Sequence, residues 1–105
     1  VRKSKEERKR DRVILEKYHK YLTEKELEPL FQHVNQWKSG ELPYYELTEL
    51  IHEFHKKNQE IWSTFNGELP RERLIFFAKK ELKMFNEHDL KNEMYQRWLH
   101  FYDED

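Results

Sequence analysis

Two Glu-x-x-His spacings stand where metal chemistry would need them, Glu16–His19 and Glu49–His52. In di-iron carboxylate bundles this spacing aims both ligands at one metal, and two further helices each add a Glu. His52 and His55 also form H-x-x-H, one residue short of the zinc-protease motif whose histidines share a helix face. Direction counts against all three. The apolar row of that segment centres on Leu47, Phe54 and Phe65, and Glu49 and His52 fall on its far side. Glu16 faces away from Tyr18 in the same way, and no third ligand accompanies the histidine pair. A chain with 21 acids and six His produces such spacings by chance. A di-metal carboxylate enzyme is therefore the third of three readings, and no metal ligand is assigned.

Other catalytic chemistry finds no foothold. With no Cys there is no thiol nucleophile, disulfide or Cys-based metal site. Ser4, Ser39 and Ser63 lie outside any G-x-S-x-G elbow, and no Gly-rich loop exists to cradle phosphate. The expectation is a non-enzymatic protein with no catalytic or cofactor-binding residue. A chain without Cys suits a reducing compartment, no apolar run reaches the length of a membrane span, and none resembles a signal peptide. The expected setting is the cytoplasm.

Binding chemistry is better supplied. Residues 1–12, VRKSKEERKRDR, hold seven Lys/Arg against three acids, whereas the rest of the chain is net acidic. Arg2, Lys3, Lys5, Arg8, Lys9, Arg10 and Arg12 are candidates for nucleic-acid phosphates. Glu6, Glu7 and Asp11 are interspersed and no aromatic residue is, so a solvated, frayed helix end competes with that reading. Five apolar residues in succession, Leu74–Ala78, exceed what a helix buried on one face can hide. Phe76 and Phe77 thus point to an exposed anchor for another chain, unless helices on both sides cover them. Asn58 interrupts an apolar heptad row, where a lone amide can set register or oligomeric state.

The elements that position these residues are helices. Apolar residues are 36% and charged ones 39%, with 15% aromatics, which implies a thin core of large side chains under a charged surface. Two Gly and three Pro in a chain rich in Glu, Lys and Leu give an all-α protein, and 105 residues give one domain. The glycines and two of the prolines sit in a repeated phrase, SGELPYYEL at 39–47 and NGELPRERL at 66–74. Glycine closes a helix in the left-handed conformation, and proline, which needs no N–H donor in a first turn, opens the next.

Helix 1 is expected from about Glu6 to Leu22, carrying Ile14, Leu15, Tyr18, Tyr21 and Leu22. Its stripe falls out of phase with Leu27 and Leu30, and Thr23 with Glu26 matches a capping box, so a break is expected near Thr23. A second helix reaches Ser39, with Pro29 kinking it or delaying its start. Helix 43–66 is the expected central strut. Leu74, Ile75, Ala78, Leu82 and Phe85 mark a fourth helix, and Leu90, Met94, Trp98 and Phe101 a fifth, set off by a turn at Asn86–Asp89.

The expected fold is an antiparallel bundle of four or five helices over 1–105, with 1–12 a charged arm. The expected function is contact with another protein, a second copy of the chain included, through Phe76, Phe77 and Asn58. The nucleic-acid arm is the alternative.

Overall fold

The glycine–proline phrases do what their chemistry dictates. In the computed structural model, which describes residues 3–102, Gly40 and Gly67 have φ of 86° and 113°, the left-handed region that β-carbons disfavour. At the first corner the Gly40 N–H donates to the Trp37 carbonyl and the Glu41 N–H to that of Gln36, the paired bonds of a Schellman closure. Pro43 and Pro70 then stand at the N-caps of the helices that follow, one residue earlier than a first-turn proline.

All described secondary structure is helical: α1 Lys5–Lys38, α2 Tyr44–Ser63 extended by a wide turn Thr64–Glu68, α3 Arg71–Leu82, α4 Glu87–Leu90 and α5 Glu93–Tyr102. Ser4 caps α1 with a reciprocal box to Glu7. Glu7 is held below the usual carboxylate range by its bonds to the Ser4 backbone and hydroxyl.

The expected break at Thr23 does not occur. α1 is one helix of 34 residues with Pro29 inside it, so the longest helix is α1 and not the segment 43–66. The phase slip has another cause. Residues 11–18 of α1 face α3, with Asp11, Ile14, Leu15 and Tyr18 buried, whereas residues 19–37 face α2. Two partners at different azimuths shift the stripe without interrupting the helix. Thr23, which therefore caps nothing, keeps a buried hydroxyl with no partner among the described residues.

Two regions result. At the compact end, Ile14, Leu15 and Tyr18 pack with Leu74, Ile75 and Ala78, and Leu22, Phe65, Leu69, Phe77, Leu82 and Met84 close the edges. On the other face of α3, Phe76 is fully buried amid Phe77, Phe85, Tyr95, Trp98 and Tyr102. The second region is an arm made of the rest of α1 and α2. His19 packs against Trp62 at one end and the Ser39–Pro43 corner joins the helices at the other, so α2 runs back along α1. The molecule measures 56 × 33 × 21 Å with a radius of gyration of 17.9 Å. A compact chain of this length would give about 13 Å, so the arm projects.

Candidate interaction surface

Helix α1 has one side for each partner and a third side left over. Leu27 lies two and a half turns beyond Tyr18, hence on the side of α1 away from α3. Phe31 and Val34 follow at i+4 and i+7 and share its face. On α2 the residues turned toward α1 are Leu47, Leu50, Phe54 and Ile61. One step around the helix stand Tyr44, Ile51, His55, Asn58 and Trp62.

The two grooves between the helices differ in kind. One is lined by Lys25, Glu26, Lys57 and Glu60 over Leu22 and Ile61, and is closed by charged side chains. Leu27, Phe31, Ile51 and Trp62 flank the other groove, on the side opposite those charges in both helices. Leu27 is 42% exposed, Phe31 62%, Ile51 44% and Trp62 50%, and Tyr44 beside the corner is exposed as well. Exposed apolar side chains gathered on one face of a charged protein make that face a candidate contact surface.

The residues singled out from sequence fall in three places. Asn58 is half-buried at the inner edge of this face, with no side-chain hydrogen bond among the described residues. Phe76 has no exposed surface and Phe77 is half-buried, so the expectation of an exposed anchor there is corrected. α3 is sandwiched, with α1 covering one face and α5 the other, which accommodates five apolar residues in succession. The basic segment forms the first turns of α1. Lys5, Arg8, Lys9 and Arg12 are exposed on one face at i, i+3, i+4 and i+7. Arg10 is exposed elsewhere on the helix, and Arg2 lies outside the described residues.

Lys3 is not available as a free cation. Its ammonium bonds Asp11 at 2.6 Å and Glu72 at 2.9 Å. Burial opposes its charge, but the bonds to Asp11 and Glu72 outweigh that and raise its pKa. A second polar junction lies nearby. Lys79 donates to Asp89 at 2.9 Å and to the Tyr95 hydroxyl at 3.4 Å, with all three residues buried. Asp89 also closes a reciprocal cap with Asn86, accepting from its N–H and donating its own N–H to the Asn86 side chain. Burial, reinforced by the Asp89 charge, pushes the Tyr95 phenol up to about 12. The cavity of about 120 Å³ between these pairs leaves both lysines already neutralised, so its chemistry is that of a joint between α1, α3 and α4.

The Glu-x-x-His pairs do not converge on a metal. Glu16 is exposed while His19 turns its ring edge onto Trp62 and Phe65, 4.7 and 5.0 Å between centroids. Glu49, His52 and His55 are all exposed on α2. Among the described residues no three His, Asp or Glu side chains cluster to hold a metal, and no helix is long and apolar enough to cross a membrane.

Comparison with protein-family models, with curated proteins and with solved structures finds no match to this chain. The exposed face of the arm had a legible signal. Adjacent apolar pairs occur at Leu30–Phe31, Leu50–Ile51 and Ile61–Trp62. A helix with one buried stripe cannot hide both members of each pair.

Proposed function

We propose that this chain is a small, non-enzymatic helical-bundle protein of the cytoplasm that works by binding another protein through the arm. The carrying observation is the pairing of opposite grooves on one hairpin. One is closed by four charged side chains, and the other is flanked by Leu27, Phe31, Ile51 and Trp62 in the open. Two helices alone bury one stripe each, so an antiparallel pair with a second apolar stripe is half of a larger bundle. Asn58 keeps its proposed role at this face, and Phe76 serves the fold instead.

Photo-crosslinking side chains test the reading. Placed at Phe31 and Ile51 they should give protein adducts in native lysate, while placements at Glu26 and Lys57 in the charged groove should not. Equal labelling from both grooves, or none from the apolar one, would contradict it.

A second reading rests on the four cations Lys5, Arg8, Lys9 and Arg12 that share one exposed helix face. As a nucleic-acid contact they would neutralise roughly four phosphates, giving a log–log salt dependence with a slope of about −3.6 on duplex DNA. No binding of labelled duplex or single strand at low salt removes it.

A further inference from the structure

We propose that the occupant of the arm's apolar face is a second copy of this chain, the two arms pairing about a two-fold axis parallel to their helices. The inference rests on the protein-contact reading and deepens it. Around such an axis α1 of one copy lies over α2 of the other, and residues at equal height meet. Heights are fixed within the chain: His19 packs on Trp62, Leu22 and Ile61 line one cavity, and the corner brings Lys38 level with Tyr44.

That register sets Phe31 against Ile51 of the second copy and Leu27 beside its His55. Lys20 and Lys38, the two exposed lysines that point along this face, meet Trp62 and Tyr44 of the second copy. Cations on aromatic faces attract. The other face-to-face arrangement, with the axis across the helices, lays α1 on α1 and, at full overlap of the two faces, brings Lys20 against Lys38 of the second copy. Like charges then meet at both ends, which selects the first arrangement.

Two further features fit. The α3 packing surface lies on the opposite side of α1 from Leu27, so the compact ends project away from the interface. Asn58 stands on α2 between the residues turned toward α1 and the outer row, and in this arrangement it lies beside the axis, opposite its own counterpart. Two amides there satisfy one another and fix the register, the use a lone Asn has in helical seams. The face spans roughly 25 Å by 20 Å, or about 500 Å² in projection, below the ~800 Å² per partner of a standard interface.

Sedimentation velocity of the full chain from low micromolar to near-millimolar concentration is the test. The mass should rise from one chain to two and stop there. Phe31→Glu and Asn58→Asp, both at positions not fully buried in the single chain, should each weaken association at least tenfold, and Asn58→Asp should recover on acidification. Lys57→Glu in the charged groove should leave it unchanged. The chain has no Cys, so Asn58→Cys gives one thiol and should oxidise readily to a linked pair, whereas Glu60→Cys should not.

A mass of one chain throughout overturns the proposal. A doubled mass indifferent to Phe31→Glu overturns the face, and a doubled mass with no Asn58→Cys linkage overturns the axis. If the mass stays single while crosslinkers at Phe31 and Ile51 still label other proteins, the second copy falls and the protein-contact reading stands. If those crosslinkers label nothing, both fall.

Discussion

The compact end and the arm share α1, yet only the compact end is finished. At the compact end the central helix has cover on two sides. α3 lies between α1 and α5 and buries Leu74, Ile75, Phe76 and Ala78. In the arm, Leu47 is the one buried side chain of α2, and Leu50, Phe54 and Ile61 remain half-exposed. What separates the two regions is a third element, since a helix pair hides only the stripe along its line of contact. The arm has no third element, and its second apolar stripe stays exposed.

The contrast can be broken by mutation, beginning where the effect is largest. Phe76→Ala removes a ring packed on several others and should cost about 3–5 kcal/mol in urea unfolding. Phe54→Ala in the arm should cost only about 1–2 kcal/mol for the same atoms, because they are half in water already. Equal losses would mean that the arm is as well packed as the compact end. Asp89→Ala leaves the Lys79 ammonium buried without its partner and removes the Asn86 box, an expected loss of about 3 kcal/mol.

Alkaline pH sharpens the comparison. Burial raises the Tyr18 phenol, helped by the charge of Glu81 and the bond to it, and likewise raises Tyr95 to about 12. Both pKa values stand above the unfolded value near 10, so the native state holds these protons more tightly. Their contribution is complete below pH 10 and declines as pH rises above it, that of Tyr95 being lost through about pH 12. Urea melts across that window should show stability falling, and Tyr95→Phe should make the fall shallower.

Smaller effects come from backbone conformation. Gly40→Ala and Gly67→Ala meet no neighbour within 4 Å, so the left-handed φ alone should cost about 1 kcal/mol each. Lys83 ends α3 at a φ of 56°, and its neighbours make the paired closing bonds Lys83 N–H to the Lys80 carbonyl and Met84 N–H to that of Lys79. Lys83→Gly relieves that conformation and should stabilise by about 0.5–1 kcal/mol, read from the urea midpoint.

The sequence announced both corners because glycine and proline act locally: Gly40, Gly67, Pro43 and Pro70 take the roles their backbones allow. The Asn86–Asp89 cap was legible for the same reason. Phase slips were ambiguous. The slip between α3 and α5 marks a true turn, made by Lys83 and Asn86, while the slip near Thr23 marks a change of partner along one helix. Periodicity reports which side of a residue is buried, not whether the chain stops in between, so the two cases look alike.

The excess of Phe76 and Phe77 was visible, but its meaning depended on α5 returning over α3, a long-range fact. The bond from Lys79 to Asp89 was hidden for the same reason. Among so many charges no pair could be chosen without knowing that α4 folds back. The exposed pairs on the arm obeyed the rule that flagged Leu74–Ala78; they were spread over two helices and only the hairpin gathers them.

The most direct measurement is amide hydrogen exchange of the full chain at low and at high concentration. Exchange should be slow and independent of concentration over residues 72–82, and fast over 24–37 and 45–60, slowing there as concentration rises. Equal protection in the two regions, unchanged by concentration, would contradict it.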